Sequence, residues 1–189
     1  MKNPLQTFVS YLFRTICLCI GISLANAAVA STDLNVIADS AESFFDISFG
    51  DLPEELAMVE EEEKKALLIM FETEDCPWCT RMKQQVLNRA AIQAYFHEHF
   101  RIISVDAEGD VPMVDFDGNE VTSKSFSLQA LRVRATPVFA FFDSSGAMIT
   151  KYTGAVKNAY DFLLLGQYVA QGHYENTRFN QYRRANQPG

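Results

Sequence analysis

The residues best equipped for chemistry are Cys76 and Cys79, separated by Pro77 and Trp78. A thiolate is both the nucleophile and the metal-binding form of cysteine, and a helix N-terminus favours it through free N–H groups and the positive end of the helix dipole. Pro77 suits the first helical position, where its fixed φ and missing N–H cost nothing. Cys79, Met82 and Val86 then recur at helical spacing, with Arg81, Lys83, Gln84 and Gln85 between them. This pattern predicts an amphipathic helix with Cys79 on its inward face and Cys76 at its exposed cap. A second thiol one turn deeper can close a small disulfide or attack a mixed one. Cys76 is therefore expected to be the nucleophile and Cys79 the resolving cysteine.

Both need a rigid support, and the preceding stretch supplies one. Leu67, Leu68, Ile69, Met70 and Phe71 form an unbroken apolar run, as in a strand covered on both faces. Arg101 to Asp106 reads as a second buried strand after helical sequence reaching Phe100. Strand, helix and strand of this length make a βαβ unit with parallel strands. Upstream, Asp51 to Lys65 predicts a helix capped by Asp51, with Leu52, Leu56 and Val59 inward and pairs Glu60–Lys64 and Glu61–Lys65 along its surface. Its run from Glu60 to Glu63 reads as a solvated face rather than a cation site. Phe45, Ile47 and Phe49 alternate with polar residues, which fits either a short half-buried strand or a packed extended arm.

Downstream, Asp115, Asp117 and Gly118 predict a turn or hairpin; the spacing does not continue into a full calcium loop. A short helix near Ser125 to Val133 follows. Pro137 then leads an apolar strand, Val138 to Phe142, as proline does at a strand's first residue. Asp143 to Gly146 turns the chain into a hairpin strand, Ala147 to Thr153. Asn158 caps a helix with Phe162, Leu165 or Gly166, and Val169 inward. The tail is expected to pack partly, through Tyr174, Phe179 and Tyr182.

Residues 1–30 read as a cleaved signal peptide: Lys2 and Arg14, an uncharged run from Thr15 to Ala25, and two A-x-A sites ending at Ala27 and Ala30. The run is short of the roughly 20 residues a membrane span needs; an uncleaved anchor is the alternative, since Leu5, Phe8, Val9, Tyr11, Leu12 and Phe13 add apolar length before Arg14. Cleavage would remove Cys17 and Cys19 and leave Cys76 and Cys79 as a pair in an oxidising compartment. So small a disulfide loop constrains the unfolded chain little, which makes redox exchange the better reason for it. Removing Lys2 and Arg14 from the 16 basic residues leaves 14 against 24 acidic ones. Such a balance argues against nucleic acid or an anionic membrane as partner. The organisation expected is a signal at 1–30, an extension at 31–50, one α/β domain at 51–174 and a tail at 175–189.

With Cys76-Pro77-Trp78-Cys79 between a buried strand and a helix, and Thr136-Pro137 before a later strand, the chain resembles thioredoxin-fold proteins. It most resembles periplasmic thioredoxins of the SoxW type. Leu68 to Glu72, Val114 to Gly118, Phe141-Phe142-Asp143 and Tyr168 to Gly172 carry the rest of the likeness. The resemblance implies a central mixed sheet flanked by helices, and periplasmic thiol–disulfide exchange with partner proteins. No cofactor beyond a Cys76–Cys79 disulfide is implied. It also implies a cis Pro137 facing the cysteines and shaping a substrate groove with Thr136, Pro77 and Trp78. Trp78 reads equally as a shield over the disulfide. A membrane electron donor and a monomeric state are expected, in a setting of sulfur oxidation or cytochrome maturation.

Two departures from that pattern stand out. The interval from Cys76 to Pro137, 61 positions, exceeds that of a minimal thioredoxin, with the surplus at 108–125. The buried aspartate of the thioredoxin pattern, six positions before the first cysteine, is here Met70. Glu72 is the available substitute to take the proton from Cys79. With Glu72, Glu74 and Asp75 nearby and no cation beside Cys76, thiolate formation is opposed, which favours a reducing or moderate protein. Two other classes fit less of the sequence. One is a half zinc site, for which His97 and His99 point apart on a helix. The other is a redox-silent binding module or scaffold.

Overall fold

The computed structural model describes residues 33–38 and 40–187. The expected signal peptide lies outside the described residues. Four strands form the central sheet in the order β2-β1-β5-β6. Strand β1 (Ala66–Glu72) runs parallel to β2 (Phe100–Asp106) and antiparallel to β5 (Val138–Phe142), which pairs antiparallel with β6 (Met148–Thr153). The parallel pair is the predicted βαβ unit. Helix α1 (Leu52–Glu61) precedes β1, and α2 (Pro77–Met82) follows it, passing into a π-turn over Lys83–Leu87. Then come α3 (Ala90–His99), the hairpin β3 (Pro112–Val114) with β4 (Glu120–Thr122), and a short α4 (Ser123–Ser125) continuing as a π-turn over Phe126–Ala130. Helices α5 (Ala159–Ala170) and α6 (Phe179–Ala185) close the chain.

Strand β1 is buried on both faces, as its composition requires. Leu68 and Met70 pack with Met82, Phe96, Phe139, Phe141 and Phe162 under α2, α3 and α5. Leu67, Ile69 and Phe71 pack with Leu52, Val59, Phe126, Val138 and Phe142 under α1 and the loop from 107 to 133. Phe162 stacks on Phe96 at 4.5 Å between ring centres, and Phe44 and Phe139 meet it at 6.0 and 4.9 Å. Asn158 caps α5 by accepting from Asp161 N–H, as expected. Tyr174, Phe179 and Tyr182 pack against the core, and α6 explains why α5 buries more than one stripe.

One expectation is corrected, one open alternative is decided, and one buried charge comes to light. Helix α1 stops at Glu61, and Glu63 takes φ 54°. The Glu60–Lys64 and Glu61–Lys65 pairs therefore lack their helix, and Lys64 Nζ donates instead to the carbonyl of His97 at 2.6 Å. The segment from Phe45 to Phe49 is an extended arm, not a strand: Asp46 N–H reaches the Ile102 carbonyl, yet Ile47 and Phe49 are exposed. Phe44, of the opposite parity, is the residue buried there, among Phe96 and Phe162. Glu55, on the inner side of α1, is buried and bonded by Arg101 Nε at 2.8 Å. Burying a carboxylate is tolerable only with such a partner, and helix periodicity alone did not reveal one.

The predicted turn at Asp143 is held by its own carboxylate. It accepts from Ser145 Oγ and N–H and from Ala147 N–H at 2.6, 2.9 and 3.0 Å. These donors, the Ser145 hydroxyl foremost, hold the Asp143 carboxyl below its usual range. Such a group stabilises the fold above its unfolded pKa and ceases to do so as pH falls through the folded one. Asp143→Asn is expected to flatten the acid limb of stability against pH. Urea unfolding at successive pH values below about 4 checks it, and an unaltered limb would assign the linkage to other carboxylates.

Candidate active site

Strand β1 delivers the chain to one end of the sheet, where Thr73, Glu74 and Asp75 turn it into α2. Cys76 is the N-cap of that helix, with Pro77 in its first turn. The two cysteines form a disulfide, and Cys76 Sγ accepts from Cys79 N–H at 3.0 Å. Once the bond is reduced, the same amide and the helix dipole would face a Cys76 thiolate. Cys76 is 6 % exposed and Cys79 2 %, so the cap position is more sheltered than its sequence suggested. The cover comes from the aromatic core: both cysteines join the cluster of Met70, Met82 and Phe139.

The β1–β5 register sets Phe71 opposite Val138, so Pro137 stands at the same end of the sheet as the cysteines. The Thr136–Pro137 bond is cis. Pro137 is buried and Thr136 half-buried. Thr136 Oγ1 lies 3.4 Å from Thr73 Oγ1, tying this loop to the turn before Cys76, and the Pro137 carbonyl accepts from Gly154 N–H at 2.8 Å. Pro77 and Trp78 stand at the surface, with the Trp78 ring 55 % exposed and the Arg81 guanidinium 5.5 Å from its centre. The candidate residues Cys76, Cys79, Pro77, Trp78, Thr136 and Pro137 thus gather at one end of one sheet.

Met70 keeps the position six before Cys76 apolar and completely buried. Glu72, the last residue of β1, lies one alternation further on the same face, toward α2. Its Oε1 accepts from Ser104 Oγ at 2.6 Å and pairs with Lys83 Nζ at 3.0 Å. Glu72, Lys83, Ser104, Asp106 and Cys79 line one cavity of about 440 Å³. A cation, Lys83, therefore stands in the cavity beside Cys79. It stands four residues after Cys79, a spacing that places two residues on one helix face and would have identified it. Ser104 could not be found this way, because only the β1–β2 pairing, Met70 opposite Ser104, brings it in. The hairpin at 112–122 fills much of the long interval before Pro137, and Asp115 serves its turn by accepting from the N–H groups of Asp117 and Asn119.

Residues 52–170 match the thioredoxin-like domain family. The chain belongs to that family. Thioredoxin-like architecture also appears in its structural neighbours. A thioredoxin-fold protein from Helicobacter pylori superposes with a TM-score of 0.59 at 20% identity, covering 77% of this chain and 92% of that one. A Thermus thermophilus thioredoxin reaches 0.51 at 22% identity, covering 67% and 92%. A protein from Bacteroides thetaiotaomicron, proposed to be a disulphide isomerase, reaches 0.50 at 25% identity, covering 70% and 96%. No curated protein matches the sequence. The thioredoxin-like fold, with its mixed sheet flanked by helices, is thus what sequence and structure share with known proteins.

Proposed function

We propose that this thioredoxin-like protein is a thiol–disulfide oxidoreductase acting on partner proteins outside the cytoplasm. The observation that carries the reading is the Cys76–Cys79 disulfide at the N-terminus of α2, level with the Thr136–Pro137 loop. Cys76, at the cap and the less covered of the pair, attacks or is attacked by the partner's sulfur. Cys79 then displaces the partner by closing the intramolecular disulfide, and the partner leaves as a thiol. Two electrons pass between the dithiol and disulfide forms with no further cofactor. Pro77, Trp78, Thr136 and Pro137 form the surface that receives the partner's chain. The signal-like residues 1–30 support a periplasmic setting, with the periplasmic SoxW-type thioredoxins as the finer placement and a membrane protein as electron donor.

Cys79 must lose its proton to act, and of the three carboxylates that share its cavity, Glu72, Glu74 and Asp106, Glu72 is the one on the face of β1 toward α2. Glu72→Gln is expected to slow release of the mixed disulfide by about a hundredfold, the lower range of general-base contributions, with formation of that intermediate little changed. Rapid-mixing fluorescence separates the two phases, and an unaltered second phase would remove Glu72 from the mechanism.

The charges around the cap support a reducing direction of electron flow. Lys83 neutralises Glu72, but Glu74 and Asp75 remain exposed beside Cys76 and disfavour its thiolate. A weakly stabilised thiolate places the protein on the reducing side. Equilibration in glutathione buffers, read through Trp78, tests this: a potential near about −270 mV supports a reductant, and one near about −120 mV makes it an oxidant. Failure of the pair to exchange with any thiol would remove the activity itself.

A further inference from the structure

The two flanks of α2 and its π-turn carry opposite charge. On the β2 side, the cavity beside Cys79 is lined by Glu72, Glu74 and Asp106 against the single Lys83. On the α5 side, a cavity of about 460 Å³ is lined by Arg81, Arg89 and Lys157 with no carboxylate. Its apolar wall includes Met82, Val86 and Val156. Among the described residues, none of these three cations makes an ion pair. In a protein of formal net charge −8, three unneutralised cations around one hollow are an unexpected concentration.

Two of the cations are held in place. Arg89 donates from Nε to the Gln85 carbonyl at 3.0 Å and from its terminal nitrogen to the Asn35 carbonyl at 2.9 Å. Arg81 donates to Gln85 Oε1 at 3.2 Å while its guanidinium lies over Trp78. Arg81 therefore joins the hollow to the exposed ring of the redox motif. On the opposite wall, Val156 and Lys157 directly follow the Gly154–Ala155 stretch that is bonded to Pro137. The hollow thus continues the surface formed by Trp78 and the proline loop.

We propose that this cavity receives an acidic segment of the partner polypeptide, adjoining the cysteine that reacts with Cys76. The proposal rests on the exchange reading above and deepens it by assigning a substrate class. Arg81 lies five residues along the helix from Cys76, about 7.5 Å at the helical rise. An extended partner chain covers that distance in two to three residues at about 3.3 Å each. An Asp or Glu two to four residues from the reactive cysteine reaches Arg81 and Lys157, and its neighbours lie on Met82, Val86 and Val156. The acidic opposite flank repels the same segment, so the charge pattern also sets the direction in which the partner's chain crosses the motif.

Peptides sharing one central cysteine and differing only in three flanking residues, acidic, neutral or basic, provide the test. As symmetrical disulfides, each is reduced to two peptide thiols by the dithiol form of the protein, and the rates are read through Trp78 at low and high salt. Cysteine-to-serine versions, titrated by calorimetry, report binding without any exchange. The acidic peptide is expected to react about tenfold faster than the neutral one, with the advantage lost at high salt and in the double variant Arg81→Gln, Lys157→Gln. The acidic serine peptide is expected to bind saturably and to lose that binding in the same variant. Equal rates and binding across the three peptides overturn the proposal, as does a preference that survives in the double variant. Tight binding of inorganic sulfate without any acidic-peptide preference also overturns it and identifies a small-anion site. If no peptide exchanges while the acidic serine peptide still binds, the exchange reading fails and the acidic-segment site stands.

Discussion

Replacing Cys79 by serine is expected to convert a transient intermediate into a stable product. Cys76 is left at the cap of α2 with the residue 79 amide still 3.0 Å from its sulfur position, so its thiol retains the donor that stabilises the thiolate. The sulfur that would expel the partner is gone, and a mixed disulfide with a substrate accumulates. Cys76→Ser leaves only Cys79 of the motif pair, 2 % exposed and behind the motif, and is expected to abolish exchange with protein substrates. Non-reducing electrophoresis of extracts from cells expressing each variant distinguishes them: partner adducts with Cys79→Ser, none with Cys76→Ser. Adducts in equal amount with both variants would mean that the buried cysteine is the attacking one, and the assignment of roles would reverse. The trapped species would also name the partners, and their sequences next to the captured cysteine bear directly on the acidic-segment proposal.

The largest loss of stability is expected from Phe162→Ala. The ring is completely buried, stacked on Phe96 with an interplanar angle of 4° and met by Phe44 and Phe139. Removing such a ring costs the transfer free energy of its atoms and leaves a cavity, together about 3–5 kcal/mol. Against a total of about 5–15 kcal/mol for a domain, that is a large share. Phe44 ends a short 3-10 helix, Glu42–Phe44, before α1, so the arm before α1 should loosen along with α3 and α5. Urea unfolding measures the loss, and a cost below about 1 kcal/mol would mean that Phe44, Phe96 and Phe139 close the space.

Much of this protein was readable before any coordinates. The apolar run from Leu67 to Phe71 demanded a strand covered twice, and its residues alternate between the two cores because side chains on successive strand residues leave opposite faces. Pro77, Asp51 and Asn158 marked helix starts because each solves a local problem, the unpaired N–H groups of a first turn. The motif spacing located the disulfide for the same reason, since three residues of helix are a local distance. Thr136-Pro137 was recognisable only by resemblance, as nothing in its neighbours links it to Cys76.

What the sequence alone could not determine are the contacts between segments distant along the chain. Periodicity gave no sign that Glu55 is buried, whereas Arg101 on β2 allows it. It also made Ile47 and Phe49 inward residues, whereas Phe44 takes the place beside Phe96. The surroundings of the cysteines changed in the same way: acidic by sequence, they contain Lys83 and Ser104 on one flank of α2 and three cations on the other. Local rules follow from backbone geometry, which a few residues contain in themselves. Charge around a site is set by side chains that meet only when the sheet brings its strands into register and α5 packs beside α2, and that is decided by the tertiary fold.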